Sequence, residues 1–206
     1  MLIIDISGSN FFGSNSAFKN EYVTELAATL AFSATKNNDK VGLILFSDNV
    51  ELYIPPKKGK SHVLRIIREL LEFKSKSKKT DINIPLKFVS NILKNRSIAF
   101  IISDFISQDY SNSLKIFSSR HDVTGIRIYD KTEEIIPNLG IIDINDNETG
   151  KRITVNTSSK NIRKEYNEYY NTKRSEFVDY FKRSGSGIIE CNTQDNYQKK
   201  LLKYFK

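Results

Sequence analysis

Met1-Leu-Ile-Ile-Asp-Ile-Ser-Gly-Ser9 opens the chain as an apolar run that meets an acid and then two serines at alternate positions. An Ile-rich run of this length suits a strand buried on both faces. The polar residues fall where that strand ends, and Gly8 gives the backbone freedom to turn. Asp5, Ser7 and Ser9 thus offer one carboxylate and two hydroxyls within five residues. These are oxygen ligands, the kind that hard cations such as Mg2+ prefer. Alone, Asp-x-Ser-x-Ser occurs by chance in many chains and equally reads as a turn with a capping acid; its place at a strand tip and two later stretches give it weight.

Outward from this strand, helical spacing runs from Lys19 to about Lys36, with Val23, Leu26, Ala27, Leu30, Ala31 and Ala34 on one face. Asn10–Ser16 before it reads as a loop. Val41–Phe46 is a second buried strand. Ser47-Asp-Asn49 turns it into Val50–Ile54, an edge strand that Pro55-Pro56 should end. A helix capped by Ser61 runs from His62 to about Phe73, followed by the basic loop Lys74-Ser-Lys-Ser-Lys-Lys79. Thr80 opens a helix over about 81–94. Ile98–Ile102 is a third buried strand ending on Ser103-Asp104, and Ser111–Arg120 a short helix. Val123–Tyr129 is another strand, with Arg127 a polar interruption. Gly140–Ile144 and Arg152–Val155 flank a turn at Glu148-Thr-Gly150. A tyrosine-bearing helix spans about Ser159 to Arg183. Ile188–Cys191 and Asn196–Phe205 supply a last strand and helix. Strands alternating with helices imply an α/β architecture with a mainly parallel sheet.

The chain has 206 residues, enough for one domain with a full core, and we read 1–206 as a single domain. Its 39% hydrophobic and 27% charged content describes a globular protein. No apolar run approaches the ~18 residues of a membrane span, and the N-terminus lacks a signal-peptide pattern. A single cysteine, Cys191, excludes an internal disulfide and fits a reducing compartment, so we expect a cytoplasmic protein. Cys191 itself, in an apolar strand, reads as a small buried hydrophobe. His62 and His121 leave little material for a zinc site. The net charge of +8 comes from basic residues scattered along the chain, the pattern of a solvated surface. A central strand with nothing before it leads us to expect that Met1 is internal to a longer protein, with an N-terminal region absent from this chain.

In a doubly wound sheet the strand tips at the carboxyl edge form a crevice where the connections diverge. If the first strand and Ile98–Ile102 are neighbours, Asp5 and Asp104 meet there, and their repulsion is relieved by a cation. The hydroxyls of Ser7, Ser9 and Thr80 can complete part of an octahedron, water filling the rest. Each also has a plainer reading: Thr80 and Asp104 as caps, Asp81 as a first-turn helix acid.

This order and spacing resemble the metal-ion-dependent adhesion site of von Willebrand factor A domains. More closely, the chain resembles a bacterial family known as domain of unknown function number fifty-eight. The residues that carry this are Asp5-Ile-Ser-Gly-Ser-Asn-Phe-Phe-Gly-Ser14, Asp39-Lys-Val-Gly-Leu-Ile-Leu-Phe-Ser-Asp48, Ile54-Pro-Pro-Lys-Lys-Gly-Lys60 and Lys79-Thr-Asp81. Ile101-Ile-Ser-Asp-Phe105, Ser119-Arg-His-Asp-Val123 and Asp146-Asn-Glu-Thr-Gly150 extend it over nearly the whole chain. Asn10 departs from it, standing where a methionine is common.

The resemblance implies a Rossmann-like, mainly parallel sheet in the order 3-2-1-4-5-6 with an antiparallel edge strand. It implies a metal, Mg2+ or another divalent cation such as Mn2+ or Ca2+, on Asp5, Ser7, Ser9, Thr80 and Asp104. It implies a non-enzymatic interaction domain whose partner lends an acidic side chain to the metal, that partner being a MoxR-type AAA+ ATPase or its client. Two other functions compete: a metal-dependent hydrolase using the same cluster, and a basic nucleic-acid-binding domain. No positioned general base is legible for the first, no recognised motif for the second, and no phosphate-loop signature for an ATPase.

Overall fold

Leu2–Asp5 forms β1, buried at every position, at the centre of a six-stranded sheet. A computed structural model describes residues 1–7, 16–131, 133–145 and 152–205. The chain leaves β1 for α1 (Ser16–Lys36), returns as β2 (Val41–Phe46), and reverses into β3 (Val50–Lys57). Two helices, α2 (Lys60–Glu72) and α3 (Asn83–Ile92), lead to β4 (Ile98–Ser103) on the other side of β1. Then follow α4 (Ser111–Ser118), β5 (Asp122–Tyr129), the ribbon β6 (Ile141–Asn145) and β7 (Arg152–Asn156), α5 (Lys160–Arg183), β8 (Gly187–Asn192) and α6 (Tyr197–Tyr204).

The sheet order is β3-β2-β1-β4-β5-β8, parallel throughout except for the antiparallel edge pair β2/β3. The expected order therefore holds, its sixth place taken by the eighth strand because the β6/β7 ribbon intervenes. Consecutive residues of the parallel strands serve opposite layers. Leu2 and Ile4 join Leu26, Leu30, Val63, Ile66 and Leu201, which places α1, α2 and α6 on one face. Ile3 joins Leu86, Val89, Leu114, Phe117, Phe177 and Phe181, which places α3, α4 and α5 on the other. Burial on both faces is why these strands are continuous apolar runs. Cys191 is fully buried within the first layer, a small hydrophobe as expected.

Several boundaries differ from the sequence expectation. Strand β3 does not stop at Pro55-Pro56 but runs through both to Lys57. Alternate N–H positions of an edge strand face away from the ladder, so one proline forfeits no ladder bond, and a register shift between Val41 and Leu43 accommodates the other. Ser61 is not a cap: α2 starts at Lys60 behind Gly59, whose φ of 105° suits glycine and whose position offers no side-chain bond. Thr80 does not open α3 either. That helix begins at Asn83, with Asp81 Oδ1 accepting the Asn83 N–H at 2.9 Å, so the acid shapes a turn before the helix. Ser159 and Asn196 do cap α5 and α6. The turn at Glu148-Thr-Gly150 lies outside the described residues.

Candidate functional site

The carboxyl edge of the parallel strands collects the polar residues that end them. Strand β1 has β2 on one side and β4 on the other, and the connections leave in opposite directions. The crevice at its tip is therefore the topological switch point, where open α/β sheets bind ligands.

Asp5, the last residue of β1, is buried there. The pairing of Ile4 with Ile102 carries it alongside Ser103, whose Oγ donates to Asp5 Oδ2 at 2.6 Å. On the other side the Ser7 N–H donates to Asp5 Oδ1 at 2.9 Å, which folds the chain back over the acid. Asp104 follows Ser103 and is also buried. It is held by a tight turn in which Asp104 Oδ1 accepts the Ile106 N–H at 3.0 Å and Ser103 Oγ accepts the Phe105 N–H at 3.0 Å. Phe105 has a φ of 61°, an unfavourable conformation for a bulky residue. Its ring stacks on Phe177 at 4.3 Å and meets Phe181 edge-on, so aromatic packing holds the strained turn in place.

Burial pushes the Asp5 carboxyl up to about 6, and the charge of Asp104 adds to the rise; hydrogen bonds from Ser103 and Ser7 offset part of it. Two neighbouring buried acids are thus brought together at an electrostatic cost. A small cation between them removes that cost. Among the described residues no three His, Cys, Asp or Glu side chains gather as metal ligands. An ion held here therefore relies on hydroxyls and water beyond the two carboxylates, which suits Mg2+ or Mn2+ and not Zn2+.

Of the five candidate ligands, Asp5, Ser7 and Asp104 stand together in the crevice. Thr80 reaches the same edge by its neighbours: the Asp81 N–H donates to the Ser47 carbonyl just past β2 at 3.1 Å, and the Ile82 N–H donates to Ser107 Oγ at 3.4 Å. Thr80 is thereby laid between the tip of β2 and the Asp104 turn. Ser9 lies outside the described residues.

Three features were not read from the sequence. Ser103 is a direct hydroxyl partner of Asp5, which only the β1/β4 register reveals. Lys19, almost fully buried near the start of α1, donates to Glu133 Oε2 at 3.1 Å and ties that helix to the segment after β5. Arg127 is no interruption of β5: it is 2% exposed, pairs with Glu134 at 2.8 Å and Glu190 at 3.5 Å, and lies over the Tyr129 ring. An arginine in an otherwise apolar strand was the available signal. Both histidines lie at the opposite, amino edge. His62 Nε2 is 2.9 Å from the carbonyl of Val41, the first residue of β2, and His121 packs on Phe117 just before β5.

Comparison with solved structures gives the same architecture. An aerotolerance-related membrane protein from Bacteroides fragilis superposes with a TM-score of 0.62 at 17% identity, covering 99% of this chain and 96% of the other. The conserved hypothetical protein BatB from Bacteroides thetaiotaomicron gives 0.62 at 15% identity over 99% and 95%. The SpRpn10 VWA domain gives 0.52 at 9% identity over 98% and 92%. At such identities the likeness is one of fold, and the fold is von Willebrand factor A-like. An uncharacterized protein of Mycobacterium tuberculosis strain H37Rv is 22% identical over 152 residues, 72% of this chain. An uncharacterized protein of Mycobacterium bovis matches equally well. The chain spans about half the length of these curated relatives, 48% in each case. Residues 1–176 match one protein family throughout, and the chain belongs to it: the family described as Protein of unknown function DUF58.

Proposed function

We propose that this chain is a non-enzymatic protein-interaction domain that uses a divalent cation, most simply Mg2+, at the tip of β1. The observation that carries this reading is the buried Asp5–Asp104 pair at the switch point, with Ser7 and Ser103 hydroxyls around it and Thr80 at the same edge. Asp5 and Asp104 would hold the ion, with Ser7, Ser9 and Thr80 as further oxygen ligands directly or through water. When bound, the cation neutralises the two carboxylates and offers a vacant coordination position to an anionic ligand. Ser103 orients Asp5, and the Phe105 turn orients Asp104. In line with the family resemblance, the partner supplies a carboxylate and is a MoxR-type AAA+ ATPase or its client.

A hydrolase built on the same oxygens needs a proton acceptor beside the ion. Neither histidine serves, since both lie across the sheet from the crevice. The described helices include none long and apolar enough to cross a membrane.

Thermal unfolding across a Mg2+ titration tests the reading. A ligand that binds only the folded state stabilises it by RT ln(1 + [L]/Kd), about 2.7 kcal/mol at a hundredfold excess over Kd. Wild type should show that rise and Asp5→Ala should not. A flat wild-type response removes the metal from the account.

A further inference from the structure

The basic loop between α2 and α3 is ordered by a single acid. Glu51, at the start of β3 and hence at the carboxyl edge, accepts the Lys76 N–H on Oε2 at 2.8 Å. Its Oε1 accepts from Ser75 Oγ at 2.9 Å and from the Ser77 N–H at 3.4 Å. Burial pushes the Glu51 carboxyl up, but these bonds and one from Ser47 outweigh it and hold the group below its ordinary value. The Ser75 hydroxyl and the Lys76 and Ser77 N–H groups therefore turn in toward Glu51, while the side chains of Lys74, Lys76, Lys78 and Lys79 are exposed. The loop then runs into Thr80, which the Asp81–Ser47 bond fixes at the tip of β2. A row of ammonium groups is thus laid along the rim of the crevice on its β3/β2 side, beside an edge otherwise rich in acids: Asp5, Asp48, Asp81, Asp104 and Glu133.

Extended chain places alternate side chains on one side, about 7 Å apart. An extended acidic segment has that spacing, so one of its carboxylates can reach the metal position while its neighbours meet lysines. We propose that the Lys74–Lys79 loop, clamped by Glu51, is a second recognition element of the same site, and that the partner presents a run of acidic residues in place of a lone carboxylate. This rests on the metal-dependent reading above. It adds that affinity is strongly salt-dependent, because exposed charges carry part of it.

The probe is fluorescein-labelled octaglutamate, with fluorescence anisotropy read in Mg2+ and in EDTA, and Mg2+-induced thermal stabilisation followed in parallel. Lys76→Glu/Lys79→Glu should weaken binding at least tenfold in Mg2+ while leaving the thermal response intact. Lys40→Glu/Lys94→Glu carries the same charge change at the amino edge and should alter binding less than twofold. Glu51→Ala removes a negative charge, which simple attraction says should tighten binding; loss of the clamp should instead weaken it severalfold. Equal losses in the two double variants, tighter binding by Glu51→Ala, or no binding of the probe by wild type would each overturn the proposal. Loss in Lys76→Glu/Lys79→Glu together with binding that ignores EDTA and Asp5→Ala would uphold the lysine surface and refute the metal reading. Unchanged binding in Lys76→Glu/Lys79→Glu with an intact Mg2+ response would do the reverse.

Discussion

Glu190 shows how single residues hold the frame around the site. Its carboxylate accepts Arg174 Nε at 2.8 Å and Nη2 at 2.9 Å, and it lies 3.5 Å from Arg127. The Arg174 hydrogen bonds hold it below the ordinary 4.5, against the effect of burial. A depressed folded pKa means that the unfolded chain binds more protons as the pH falls past 4.5. The stability from these pairs is therefore full above that point and lost below it. Glu190→Gln should cost stability at pH 6, and its deficit relative to wild type should shrink toward pH 3, as measured by urea unfolding across that range. At Gly125 the limit is steric. A Cβ there would lie 2.5 Å from one Phe181 ring carbon and 2.8 Å from Phe177. Both rings are fully buried, so neither can swing aside. Gly125→Ala should destabilise by about 1–3 kcal/mol, the usual cost of overpacking, with an unchanged denaturant m-value as the control for a retained fold.

Among the elements, α5 braces the site while contributing no candidate ligand. Phe177 from this helix stacks on Phe105, which holds the left-handed turn beside Asp104. Phe177→Ala should cost about 3–5 kcal/mol of stability. It should also weaken Mg2+ binding, which calorimetry can read separately from the melting temperature; undiminished Mg2+ affinity would show that the turn holds without the ring. Element type was legible because burial on both faces writes itself as unbroken apolar runs, as in Leu2–Ile4 and Val41–Phe46. Helix starts were less so: Ser61 and Thr80 have capping chemistry but are not used as caps, since Gly59 and Asp81 shape those turns through backbone and Asx geometry. The prolines of β3 misled for a related reason, because an edge strand tolerates them without ending. Asp5, Ser7 and Asp104 could be named from strand tips alone. Ser103 and Glu51 could not, because their partners lie 98 and at least 24 residues away and depend on register.

At the scale of the whole molecule, the sheet separates two kinds of edge. The carboxyl edge gathers Asp5, Asp104, Thr80 and the lysine loop, whereas the amino edge holds both histidines and a cavity of about 970 Å³ lined by residues such as Leu30, Ile98 and Phe205. On the proposed reading, a partner at the first edge meets a cation held by Asp5 and Asp104, a row of lysines and the Phe105 turn. The claim beneath all of this is that Asp5 and Asp104 are brought together to share a divalent ion. An anomalous difference map from crystals grown with Mn2+ tests it most directly. The account predicts a single strong peak between the carboxylates of Asp5 and Asp104, ringed by six oxygens that include a Ser7 or Thr80 hydroxyl. A map with no peak at the tip of β1, and with Asp5 and Asp104 in direct contact through a shared proton, would contradict it.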